Sequence, residues 1–298
     1  MDCTMAPRTA PSTADAASAA AGGVAEQDIE IALKGREPVL ARTYGERSRS
    51  SGTPLVLHFH GGTFVCGDLD DGRMVARLLA RAGAVVVSLA YPLAPRNPFP
   101  DAIGVGYEVL GWMFRQRTRL AGKDAAMFLA GEEAGGNLAA GVALLARDQA
   151  HPPMAGQILL SPMLDPCAGT SSLRAANAQG DADSPCRWAA GWQKYLGKPK
   201  DALHPYAVPG SSLRLAQLAP TLVLVGQEDA MRDEALSFAE RLRGAGNSVS
   251  AVVLPTAAQW PQALADGASG ECPCALTLEQ HFRDFFATAA PTPPPAAT

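Results

Sequence analysis

Phe128 to Asp148 reads FLAGEEAGGNLAAGVALLARD, and this stretch decides the fold. It opens as an apolar, β-prone run, breaks at Gly131, and resumes with Leu138, Val142 and Leu145 at helical spacing. A buried strand, a tight turn and a long helix follow one another with no room for a loop. Gly131 and Gly135 flank the tip of that turn, and Glu133 stands on it.

The same rhythm extends outward. Apolar β-rich runs predict strands at Asp28–Leu33, Val39–Tyr44, Leu55–His60, Val85–Leu89, Ala126–Ala130, Gln157–Leu160, Thr221–Val225 and Ser248–Leu254. Helical patterns fall between them at Asp71–Ala82, Ala102–Leu120, Ala134–Ala150 and Met231–Gly244, with a last one at Leu276–Ala289. The short KGREP turn makes the first two strands antiparallel; the alternation that follows predicts a mostly parallel eight-stranded sheet covered by helices on both faces, an α/β fold. Residues 166–220 break the rhythm and predict a small cap insertion with a helix near Trp188–Leu196. Residues 1–24 and 290–298 read as disordered tails, which leaves one domain over 25–289.

Composition removes several classes of function. The 298 residues carry a formal net charge of −4, so no basic face is available to neutralise phosphates, and nucleic-acid binding is not expected. No apolar run reaches the length of a membrane span. The N-terminal stretch lacks the basic and apolar regions of a secretion signal, and a cytoplasmic protein is expected. The 6 cysteines are scattered, and Cys272-Pro-Cys274 has no second pair to complete a zinc site. Reduced thiols, no metal and no cofactor are the expectation.

Two further motifs sit beside the turn. HFHGGTFVCGD, His58 to Asp68, follows an apolar strand, and its paired glycines can expose consecutive N–H groups toward a developing negative charge. SLAYPLAPRNPFPDAI, Ser88 to Ile103, ends a strand in a proline-rich turn that leads into a helix. Together with VGQEDAMRDEA, Val225 to Ala235, this ordered set resembles the hormone-sensitive-lipase-type, HGG-motif branch of the α/β-hydrolases, the bacterial carboxylesterases and their relatives.

The resemblance implies a nucleophile elbow, normally G-x-S-x-G, at Gly131–Gly135. It implies an oxyanion hole from the N–H groups of Gly61, Gly62 and Ala134, although Thr63 stands where the family often has a third glycine. The triad acid maps to Asp229, which also suits a helix N-cap before Met231. Glu133 replaces the nucleophilic serine, Glu132 replaces the aspartate before it, and Gln259 takes the histidine's place in a looser alignment.

Without a hydroxyl no acyl-enzyme forms, and glutamine cannot shuttle a proton. No other histidine suits the role. His58 and His60 belong to the HGG strand and turn, His151 lies about 25 Å along the elbow helix, and His281 sits in the final helix. His204 is the least excluded. Glu133, at a helix N-terminus, is expected to fill the oxyanion hole with its own charge. A hydrated carboxylate pointing into a cavity is the alternative.

Two functions follow from these substitutions. The first is a pseudo-hydrolase that binds a small apolar or acyl-type ligand, with Phe64, Trp188, Trp192 and Tyr195 lining the pocket. The second is an active hydrolase of small carboxylic esters working through the Glu133 carboxylate. A homodimer is compatible with either.

Overall fold

The computed structural model describes residues 23–47, 52–166, 169–178, 186–255 and 274–289. Eight strands form one sheet: β1 (Glu26–Ile31), β2 (Val39–Tyr44), β3 (Leu55–Phe59), β4 (Val85–Leu89), β5 (Met127–Glu132), β6 (Gly156–Leu160), β7 (Thr221–Gly226) and β8 (Val249–Leu254). Their order is β1-β2-β4-β3-β5-β6-β7-β8. β1 pairs antiparallel with β2, and β2 with β4; every later pairing is parallel. The five central strands β3 to β7 are buried at every position, because helices cover both faces and side chains on either side must be apolar.

On one face lie α2 (Asp101–Leu120), α3 (Ala134–Asp148) and α6 (Arg232–Gly244); on the other lie α1 (Arg73–Arg81) and α7 (Ala275–Ala289). The alternation along β3 sorts the two cores: Leu55, Leu57 and Phe59 face α2 and α3, while Val56 faces α1. The chain passes from β3 to β4 on one side and then crosses to β5 on the other. The carboxyl ends of β3 and β5 therefore flank the crevice where this class of sheet holds its ligands.

Among the described residues, strands and α-helices lie within two residues of the expected ones, with one additional α-helix. Helix α4 (Ser171–Ala178) had no sequence signal, since only Leu173 of its apolar residues is buried. Contacts to α6 hold it: Ser172 N–H donates to Asp233 at 2.8 Å, and Ser172 Oγ to the carbonyl of Ala230 at 2.9 Å. Helix α5 (Arg187–Tyr195) occupies the place predicted for the helix of the β6–β7 segment.

The expectation of reduced thiols fails at Cys274, which is disulfide-bonded at the start of α7. Disulfides persist in oxidising compartments, so the cysteines no longer argue for a cytoplasmic protein. Residues 1–22 and 290–298, most of the expected tails, lie outside the described residues. Val24, assigned to the first tail, packs against the core beneath α1 and α7.

Candidate functional site

Glu133 sits between β5 and α3 with φ 48° and ψ −116°, a conformation that costs an L-residue about 1–3 kcal/mol. The surrounding backbone enforces it. A Cβ on Gly135 would lie 2.0 Å from the carbonyl oxygen of Phe59, and one on Gly131 would lie 2.2 Å from that of Gly135. Only glycine lets α3 approach β3 and β5 this closely. The Glu133 N–H donates to the Leu160 carbonyl at 3.1 Å, and its own carbonyl accepts from Asn137 at 3.3 Å and Met163 at 3.0 Å.

The Glu133 side chain turns away from α3 and makes no cap bond to it. Its Oε2 accepts the Gly62 N–H at 3.2 Å, and its Oε1 accepts from Arg187 Nη2 at 2.9 Å. The expected three-donor hole is thus divided. Gly61 N–H donates instead to Glu132 Oε1 at 3.2 Å, while Ala134 begins α3. Thr63 and Phe64 follow with φ 52° and 69°, so non-glycine residues complete a turn that glycine would make without strain.

Behind this turn lies a buried relay. His58 Nε2 lies 2.8 Å from Glu132 Oε2, and His58 Nδ1 lies 2.9 Å from Ser88 Oγ. A carboxylate can only accept, so His58 Nε2–H donates to Glu132, and the Ser88 hydroxyl pairs with Nδ1. His60 stacks on Tyr91 with ring centroids 4.3 Å apart, and burial holds its pKa below the ordinary value. Tyr91 Oη donates to the His60 carbonyl at 2.9 Å, pinning the turn from below.

Asp229 lies at the end of β7, 1% exposed. Ser161 Oγ donates to its Oδ2, and Met231 N–H donates to its Oδ1 at 2.8 Å. The helix begins one residue later than expected, at Arg232. Burial raises the Asp229 pKa; the bond from Ser161 works against that rise. Nearby Glu234 accepts the Leu164 N–H at 3.0 Å, and burial lifts its carboxyl to about 8.

All five histidines are among the described residues, and each has other company. His58 lies in β3 and His60 in the turn after it. His151 packs edge-on against Phe114 at 4.9 Å, at the far end of α3. His204, the least excluded on sequence, is exposed and lies between Phe99 and Tyr206 at 4.9 and 5.0 Å. His281 lies within α7. Gln259 falls outside the described residues.

The four aromatic residues expected to line a pocket do not behave alike. Phe64, Trp192 and Tyr195 are 2%, 3% and 1% exposed, and the Phe64 ring stacks on Tyr195 with centroids 4.1 Å apart. They clamp α5 onto the turn rather than form a wall. Gly191 allows this closeness, since a Cβ there would meet the Thr63 carbonyl at 2.3 Å. Trp188 is half-buried, with the Arg187 guanidinium 4.6 Å over its ring. Two cavities, of about 280 and 520 Å³, open at the opposite end of the sheet, around Gln157 and Met127, away from Glu133.

Sequence reasoning missed Arg187, Ser161 and Ser88. Arg187 is 54 residues from Glu133 and opens an aromatic helix with no motif around it. For Ser161 and Ser88 the one available signal was a polar residue ending or interrupting a fully apolar strand.

The profile of the alpha/beta hydrolase fold family matches residues 56–258. Carboxylesterase NlhH of Mycobacterium tuberculosis is 31% identical over 233 residues, covering 77% of this chain and 73% of that protein. The gibberellin receptor GID1A of Arabidopsis thaliana is 33% identical over 218 residues, covering 68% of this chain and 61% of the receptor. Among solved structures, esterase LipW from Mycobacterium marinum superposes with a TM-score of 0.75 at 34% identity, covering 93% of this chain and 84% of the other. With the elbow, the HGG turn and the parallel sheet all in place, the chain belongs to the α/β-hydrolase family, in its esterase and lipase lineage.

Proposed function

We propose that this protein is a non-catalytic member of its lineage, a pseudo-hydrolase that uses the crevice at the ends of β3 and β5 to bind a small molecule. One observation carries the reading: the residue at the elbow tip is a carboxylate whose two oxygens are already engaged, by Gly62 N–H and by Arg187. A carboxylate nucleophile needs a free oxygen to attack and a base to activate the water that hydrolyses its ester intermediate. Both Glu133 oxygens are engaged, its described side-chain partners include no histidine, and the Asp229 carboxylate is satisfied by Ser161 and Met231. On this reading residues 166–220 serve as a cap, and Gln259 stands where the family's histidine would.

The relatives include proteins named as carboxylesterases and others named as gibberellin receptors, which supports weighing both outcomes. The test is an assay of the purified protein with short p-nitrophenyl esters, beside Glu133→Ser, Gln259→His and the double variant. No wild-type turnover, with activity in the double variant, supports the proposal. Wild-type turnover that vanishes in Glu133→Gln overturns it, because it makes the elbow carboxylate a working group.

A further inference from the structure

We infer that the cavity of about 280 Å³ at the amino end of the sheet is a second binding site, separate from the elbow. Its ligand is a small neutral molecule with one hydroxyl group, an alcohol or a phenol, held through Gln157. The inference does not depend on what Glu133 does.

Side-chain size opens this cavity. Ala143 and Ala146, in the last turns of α3, and Ala150 just beyond it lie on one stripe at offsets of three and seven, and all three line the space. Earlier in the helix, Leu138 and Val142 are fully buried in the core. Alanine is too short to do the same work, so a gap remains between helix and sheet. Leu129, Met154 and Leu218 make the rest of the wall apolar. Arg147 is the one charged residue lining it, and its guanidinium is committed to Asp148 and to the carbonyls of Arg214 and Ala216, at 2.7 and 3.0 Å. The charge on this wall is therefore already balanced.

Gln157, the second residue of β6, also lines the cavity and is 1% exposed. Its Nε2 donates to Thr221 Oγ1 at 2.9 Å, and the threonine gives its one proton to the Ala219 carbonyl at 3.1 Å. That chain fixes which end of the amide is nitrogen. The oxygen, Oε1, has no hydrogen-bond partner among the described residues. A buried acceptor in that state favours a guest that brings a donor. An ammonium group would bury a charge with no counter-ion on an apolar wall, and a carboxylate has no proton to give. A hydroxyl supplies the proton without the charge. Oε1 is shielded from bulk water, so a guest inside the cavity meets it by a turn of the terminal amide torsion, which is broad in glutamine. An apolar cavity of about 150 Å³ accepts a benzene ring, so this one has room for a ring and its substituent.

The experiment titrates phenol, and in parallel anisole, into the full chain carrying ¹³C-labelled methyl groups, followed by NMR. None of the residues lining the cavity is aromatic, so a bound ring announces itself by shifting the methyl signals of Leu129 and Leu218. The expected result is a saturable shift at both, with phenol binding about tenfold more tightly than its methyl ether, which has no proton for Oε1. In Gln157→Met, which keeps the length of the side chain and removes the acceptor, that preference disappears. Equal affinities for phenol and anisole in wild type overturn the inference, as does a preference that survives Gln157→Met. Binding that leaves the Leu129 and Leu218 methyls unmoved overturns it too. If circular dichroism shows Gln157→Met to be unfolded, the wild-type comparison of the two probes decides alone. Ester turnover by the wild type bears on the preceding proposal and leaves this one standing.

Discussion

Ser161 Oγ donates a hydrogen bond to the buried carboxylate of Asp229, linking the ends of β6 and β7. The serine has φ 43°, so its hydroxyl is presented from a backbone conformation that the sheet end imposes. Removing that hydroxyl leaves a buried acid short of a donor. Ser161→Ala is expected to cost about 1.5–3 kcal/mol, the range for a hydrogen bond to a charged group, in urea denaturation at neutral pH. An unchanged midpoint would mean that the contact carries no weight.

Stability should fall as pH rises, and Glu234 is the main reason. Burial lifts its pKa from 4.5 to about 8, so across that window the folded state holds a proton that the unfolded chain has lost. Folding is then favoured at the acid end and weakened toward pH 8, by at most about 1.4 kcal/mol for each pH unit crossed. Asp229, also raised by burial, adds in the same sense above its ordinary 3.8. Above pH 6.5 the burial-lowered His60 no longer acts in the opposite sense, so melting temperatures from pH 6.5 to pH 8 should decline in wild type and flatten in Glu234→Gln, whose amide oxygen still accepts the Leu164 N–H. Equal slopes for the two proteins would refute this.

Glu132 holds two groups at once, His58 Nε2–H and Gly61 N–H. Glu132→Ala strands both donors in a buried site and should cost about 2–4 kcal/mol. Glu132→Gln keeps one acceptor oxygen and should cost less. The order of the two midpoints in guanidinium is the check; a reversed order would show that the relay is not held by this carboxylate.

Gly135→Ala tests the frame itself. Its Cβ would meet the carbonyl oxygens of Phe59 and His60 at 2.0 and 2.4 Å, both backbone atoms that cannot rotate aside. A loss of about 3 kcal/mol or more, or no soluble protein, is expected. Gly244→Ala, with nothing within 4 Å, is the control and should be close to neutral.

Most of the sheet was legible because its signals are local. Apolar runs such as Leu55–Phe59 and Thr221–Gly226 declare buried strands, and the glycines at 131 and 135 declare a sharp turn. That a glutamate stands at the tip of this turn could be read from one position. What Glu133 does instead could not, because Arg187 reaches it across 54 residues and from another element. The division of the HGG donors was equally hidden. Two consecutive glutamates look alike in a sequence, yet Glu132 ends β5 and turns to His58 and Gly61, while Glu133 kinks toward Gly62. Helix α4 was missed because contacts to α6, rather than its own pattern, hold it in place.

The kink at position 133 is made by neighbouring main chain and two glycines, and the side chain mounted on it contributes nothing to its shape. Position 133 is therefore a pedestal already bent for whatever stands on it. Serine, cysteine, aspartate or alanine placed there would inherit the same posture without rebuilding the scaffold. That makes the protein a bench on which different reactive groups can be compared while everything beneath them stays constant.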